Sequence, residues 1–165
     1  MSNEAAKIVI ERIYTATPSE IWQLWTTKEG FESWWGPEGF RADVHTLEAK
    51  EGGKLHYDMV ADSPEMIAAM KQMGQPVSHE TRSTFTAFAP ESHLKLTNVI
   101  DFLPGVDPYE NDIIVDIIAV GDKVRMVTTL HPMHSEAFSK MQKEGYTSQL
   151  SKLDKRYGYE AVLPD

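Results

Sequence analysis

The sequence contains no cysteine. That excludes disulfides, thiol nucleophiles and thiolate metal ligands, and it fits a reducing compartment, so a cytoplasmic location is expected. No stretch approaches the roughly 18 apolar residues that a membrane-spanning helix needs. The opening segment MSNEAAKIVIERIY has no basic region followed by an apolar run, and it reads as no secretory signal. Positive charge is scarce: 16 Lys and Arg stand against 25 Asp and Glu, a formal net charge of −9. The last 34 residues balance at five basic and five acidic, so residues 1–131 carry 11 basic and 20 acidic groups. Without a basic stripe the chain is a poor partner for nucleic acid or anionic membrane surfaces. The sequence also lacks a G-x-S-x-G elbow, a phosphate-cradling glycine loop and an H-E-x-x-H pair. No catalytic residue and no cofactor is therefore assigned.

What the sequence does hold is ordinary globular material: 165 residues, 41% of them hydrophobic, read as one domain over 1–165. The run KIVIERIYTA (7–16) reads as a strand rich in β-branched residues. In TPSEIWQLWTT, Thr17 caps a helix, Pro18 suits its first position and Glu20 completes a capping box. A second short helix is expected after Thr27. It would carry Phe31, Trp34 and Trp35 at i, i+3 and i+4 and end at Gly36-Pro37. From Arg41 to about His131 the alternation predicts an antiparallel meander, with turns at KEGG (50–53) and Gly121-Asp122. Leu94, Leu96, Ile100 and Phe102 form one apolar row broken by Asn98, and Asp116 interrupts Ile114 and Ile118.

Residues 62–80 depart from this pattern. Ser63-Pro64 starts a short amphipathic helix ending at Gly74, with Met66, Met70 and Met73 at helical spacing and Ile67 adjacent. It reads as an insertion between two strands, open to three roles: a lid over a cavity mouth, a surface helix packed by its Met face, or a homodimer contact. From Ser135 to Leu163 a long helix is expected. Phe138, Met141, Gly145, Gln149 or Leu150, Leu153, Tyr157 and Ala161 recur along it at three or four residues. An antiparallel sheet with one apolar face supplies the surface it needs.

The segments IVIERIYTATPSEIWQLWT, WWGPEGF, EGGKLHYDM, HLKLTNVIDFLPG and GYTSQLSKLDKR together resemble the SRPBCC superfamily. They are most similar to its branch related to the C-terminal domain of the activator of the ninety-kilodalton heat-shock chaperone ATPase. The resemblance implies an α+β helix-grip fold. A curved antiparallel sheet of six to seven strands wraps a long C-terminal helix, with two short helices after the first strand and a cavity between sheet and helix. Steroid and lipid carriers, plant hormone receptors and polyketide cyclases share this fold. The implied function is binding of a small, largely apolar ligand. The alternatives are a module that docks on a chaperone in a stress-response setting, and a cyclase-like enzyme.

On this frame the expected cavity lining is Trp25 and Trp35 from the helices, Tyr57, Phe85, Asn98 and Met126 from the strands, and Met141 and Tyr146 from the last helix, where Gly145 permits close approach. Trp34 and Trp35 are adjacent, so one helical face cannot bury both, and one of them is expected to face a cavity or a partner. Asn98 either orients a ligand or is satisfied by a neighbour. His131, His134 and Glu136 straddle a strand end, a proline and a helix start, and His56 and Asp58 are expected on a solvent face, so no metal site is assigned.

Overall fold

The structure, a computed structural model, describes residues 7–100, 105, 107–132 and 135–160. The amino-terminal segment 1–6 and Phe102, His134 and Ala161, which enter the expectations above, lie outside the described residues. Strands β1 (Ile8–Tyr14), β2 (Phe40–Leu47), β3 (Lys54–Ala61), β4 (Ser78–Ala89), β5 (His93–Ile100), β6 (Tyr109–Val120), β7 (Lys123–Leu130) and the short β8 (Tyr159–Glu160) form one antiparallel sheet. Its order is β2-β3-β4-β5-β6-β7-β1-β8. Helices α1 (Pro18–Thr26) and α2 (Lys28–Glu32) carry the chain from β1, near one edge, to β2 at the other. Helix α3 (Pro64–Gln72) links β3 to β4, and α4 (Glu136–Tyr157) follows the sheet.

Local chemistry explains most boundaries. The Thr17 hydroxyl accepts from the Glu20 amide while the Glu20 carboxylate accepts from the Thr17 amide, which closes the expected capping box on α1. Ser63 and Ser135 cap α3 and α4 in the same manner, each accepting from the amide three residues on. Register shifts between Val44 and Thr46, and between Phe85 and Ala87, mark bulges that bend the sheet. The inner face then buries Leu55, Tyr57, Phe85, Leu94, Leu96 and Val115, with Val124, Met126 and Leu130 on β7.

Three expectations need correction. The row Ile114–Asp116–Ile118 lies on the outer face, where Asp116 meets His93 Nδ1 at 2.7 Å and Ile118 is exposed. The inner row of β6 is Asn111–Ile113–Val115–Ile117. Helix α4 ends at Tyr157 rather than near Leu163, because Gly158 turns the chain at φ +63° and β8 then pairs with β1. The third is the shared helix face of Trp34 and Trp35 and the incomplete burial drawn from it. Helix α2 stops at Glu32, so both indoles project from the turn that follows instead of sharing a helix face, and both are buried, at 0% and 7% exposure.

Candidate functional site

The site begins with the aromatic plug. Trp25 packs edge-on to Trp34 and to Trp35, with centroids 5.0 and 5.3 Å apart, and Phe31 stacks on Trp35 at 4.8 Å. Such offset and perpendicular arrangements suit the ring quadrupoles and add about 0.5–1.5 kcal/mol per pair beyond burial. Trp34 Nε1 donates to the Leu24 carbonyl at 2.9 Å, and Trp35 Nε1 donates to the Tyr57 hydroxyl at 2.9 Å. Gly36 follows with φ +109°, a conformation that favours glycine, and an added Cβ there would sit 3.1 Å from the Phe40 carbonyl oxygen. The Gly36 amide donates to Gln149 Oε1. The WWGP segment is thereby fastened to α4 with Trp35 turned toward the sheet.

Beyond the plug, sheet and helix separate around a cavity of about 380 Å³, within the range of small-molecule sites. Phe138, Met141, Gln142, Gly145, Tyr146 and Gln149 form its helical wall, a single α4 face at i, i+3, i+4, i+7, i+8 and i+11. The opposite wall is one end of the sheet: Tyr57 and Met59 on β3, His79 and Thr81 on β4, Asn98 and Ile100 on β5. Asn111 and Ile113 on β6 and Leu130 on β7 complete it, with Trp35 closing the plug side. The cavity opens where Met141, 60% exposed, and the exposed His79 stand, and it is deepest near Trp35, Tyr146 and Gln149.

Of the expected lining residues, the structure brings Trp35, Tyr57, Asn98, Met141 and Tyr146 together, with Gly145 among them. Trp25, Phe85 and Met126 are not in this wall. They lie on the inner side and are almost fully buried. Phe85 pairs with Leu96 and Met126 with Ile117 at the other end of the sheet, and Trp25 is enclosed by Trp34 and Trp35. Gly145 does not serve close helix–sheet approach, since no atom lies within 4 Å of where its Cβ would stand. The space beside it is the cavity. Met66, Met70 and Met73 are outside the wall as well. Met66 packs by Gly39, and Met73 is 62% exposed.

A polar belt crosses the inner face at the boundary between packed core and cavity. Ser83, Asn98 and Asn111 are register neighbours on β4, β5 and β6, and the Ser83 hydroxyl donates to Asn98 Oδ1. Asn111 Nδ2 donates to the His131 carbonyl at 2.9 Å, and Gln142 Nε2 donates to Asn111 Oδ1 at 3.2 Å. The hydroxyls of Tyr146 and Thr128 are 2.6 Å apart. Burial pushes the Tyr57 hydroxyl pKa up to about 12, against the opposing hydrogen bonds to Trp35 and Thr81, and raises that of Tyr146 further. Outside the cavity, burial and the neighbouring Asp154 carboxylate raise Tyr14 in the same direction. His131 turns to Asp112, with Nδ1 and Oδ2 3.4 Å apart. Asn111 and Gln142 were not anticipated from sequence. The signal for Asn111 is its place at the head of the β6 row richer in aliphatic residues, and Gln142 adjoins Met141 on the helix face.

The geometry is that of a known family. The model of the family described as "Activator of Hsp90 ATPase homolog 1-like protein" matches residues 15–158, and the chain belongs to that family, within the SRPBCC helix-grip fold. Among solved structures, a Chromobacterium violaceum protein superposes with a TM-score of 0.73 at 14% identity, covering 97% of this chain and 99% of its own. A Silicibacter pomeroyi AHSA1 protein gives 0.72 at 19% identity, covering 92% and 96%. An Arthrobacter aurescens protein gives 0.72 at 21%, covering 93% and 87%. These likenesses establish the fold. No curated protein matches the chain.

Proposed function

We propose that the protein binds a small, largely apolar molecule between the sheet and α4, as a carrier or sensor. The observation that carries this reading is the open space beside Gly145, midway along the α4 wall and facing a mostly apolar cavity. An occupant burying about 300 Å² of apolar surface gains about 7 kcal/mol before association costs, which leaves affinity near the micromolar range. Among the described residues the wall holds no carboxylate, lysine or arginine. Its two tyrosine hydroxyls stay protonated at neutral pH, and its one histidine, His79, stands at the mouth with partial burial holding its pKa down, so the deep end offers no acid–base group and binding is favoured over catalysis. The large apolar side chains exposed among the described residues are dispersed: Val9 on β1, Met73 after α3, Ile118 and Val120 on β6, Met141 on α4. That dispersal gives little support to a chaperone-docking face.

Trp35 in the wall makes intrinsic fluorescence a reporter. Titration with sterols, fatty acids, flavonoids and polyketide-like aromatics should give a saturable response to one chemical class, abolished in Gly145→Phe, whose ring fills the cavity. A flat response of the folded protein across all four classes would sink the reading.

A further inference from the structure

Two amide side chains in the α4 wall have half of their hydrogen-bonding capacity unused. Gln149 is buried, with Oε1 taken by the Gly36 amide, and its Nε2 has no protein partner. Because a backbone N–H can only donate, this contact fixes which end of the Gln149 amide is oxygen. The same logic fixes Gln142. The carbonyls of His131 and Pro132 accept from Asn111 Nδ2, so Asn111 Oδ1 faces Gln142 and accepts from its Nε2. Gln142 Oε1 is left buried without a partner. Among the described residues, the cavity wall thus carries one buried nitrogen donor and one buried oxygen acceptor without a partner, on Gln149 and Gln142. A third buried orphan among the described residues, Trp25 Nε1, lies in the plug and is not part of this cavity's wall.

Gln142 and Gln149 are seven residues apart, two helical turns on one face, which sets them about 10 Å apart along the axis. Gln149 is at the deep end, beside Trp35 and Gly36, and Gln142 is nearer the mouth, beside Met141. A buried amide group left unpaired is costly, and both atoms are enclosed by the chain, so a small rotation of each amide toward the cavity that its side chain lines is what brings water or an occupant to it. With no lysine, arginine or carboxylate in the wall, and with His79 at the mouth kept toward its neutral form by partial burial, an ionised head group at the deep end would be buried without a counter-charge.

We propose that the occupant is an uncharged, elongated molecule with polar groups at both ends. A carbonyl-type acceptor enters first and takes the Gln149 Nε2 proton, and a hydroxyl about 10 Å behind it donates to Gln142 Oε1. This rests on the binding reading above and adds its polarity pattern. Selection is then by the two ends, while the apolar middle, lying against Gly145, Ile113 and Leu130, supplies affinity without discrimination.

The test is calorimetric titration with four biphenyls on one skeleton: para-hydroxy on one ring with para-acetyl on the other, the mono-acetyl, the mono-hydroxy and the diethyl compound. The two-headed compound should bind about tenfold more tightly than either one-headed compound, and the diethyl compound more weakly still. Gln149→Met should weaken the mono-acetyl compound about tenfold while Gln142→Met leaves it unchanged, and both should weaken the two-headed compound. A general loss of stability would not sort compounds in that way. Equal affinity for all four, abolished in each case by Gly145→Phe, would overturn the polarity pattern, with water serving both amides, and leave the cavity reading intact. Absence of binding by all four, or binding that survives Gly145→Phe, would overturn the cavity reading and the pattern with it.

Discussion

The Gly36 amide donates to Oε1 of Gln149 at 2.9 Å, and the Gly36 carbonyl accepts from the Lys152 ammonium at 2.9 Å. One residue of the WWGP turn therefore holds α4 at two points a turn apart. It sets both the deep end of the cavity and the position of Trp35. Gly36→Ala places a Cβ at φ +109° and 3.1 Å from the Phe40 oxygen. It should cost about 1–3 kcal/mol in urea unfolding and shift the Trp35 environment in near-ultraviolet circular dichroism. An unchanged midpoint would show that the turn relaxes without strain.

Gly145 has the opposite character. Its φ is ordinary, and nothing stands within 4 Å of an added methyl. Gly145→Ala should stabilise the protein by about 0.5–1 kcal/mol through helix propensity alone. Gly145→Phe should fold normally and exclude any occupant. If Gly145→Ala instead destabilises in thermal unfolding, α4 sits closer to the sheet than described.

Alkaline pH should expose the buried tyrosines. Tyr57 is raised to about 12, and Tyr14 and Tyr146 are raised further, mainly by burial. Unfolded tyrosine ionises near 10, so above that pH the unfolded chain binds fewer protons than the folded one, and stability falls as pH rises. The loss should begin near pH 10 and continue through about 12. Phenolate absorbance should show these tyrosines ionising together with unfolding, monitored by far-ultraviolet circular dichroism. Their smooth ionisation in the folded state would contradict the burial described.

Asn98→Leu probes the polar belt. Ser83 is 2% exposed and donates to Asn98 Oδ1, so the substitution leaves a buried hydroxyl without that acceptor and should cost about 1–2 kcal/mol. The same change makes the cavity wall more apolar at that point. Chemical denaturation of Asn98→Leu and of Ser83→Ala/Asn98→Leu separates the two effects, because the double variant removes the stranded hydroxyl and should recover part of the loss.

Much of this architecture is readable from the chain alone, for local reasons. Thr17, Pro18 and Glu20 form a complete start signal within four residues, and the Gly121-Asp122 turn joins strands whose alternation sets their faces. Alternation identifies the face but not the end of the sheet. Phe85 and Met126 point inward as expected, yet sit where the helices pack, whereas Tyr57 and Asn98 sit where sheet and helix part. On β6 both alternate rows contain isoleucine, so Asp116 reads as an interruption of an apolar row, although Asp112 and Asp116 together mark that row as the outer face. Gln149 appeared in the helical periodicity only as an alternative to Leu150. Its role depends on Gly36, 113 residues away, and no local pattern announces such a contact.

The place of β1 in the sheet has a consequence for synthesis. Tyr14 pairs with Val124, and Ile8 with Leu130, so the first strand made has no sheet partner until more than a hundred further residues exist. At ribosomal speeds of about 5–20 residues per second, that is a wait of roughly 5–20 s. Throughout it, Ile8, Ile10 and the tryptophans of α1 and its following turn emerge ahead of the surfaces that cover them. The nascent chain therefore carries these apolar segments uncovered for that interval, whereas in the finished molecule the tryptophans are buried and Ile8 and Ile10 pack against the core.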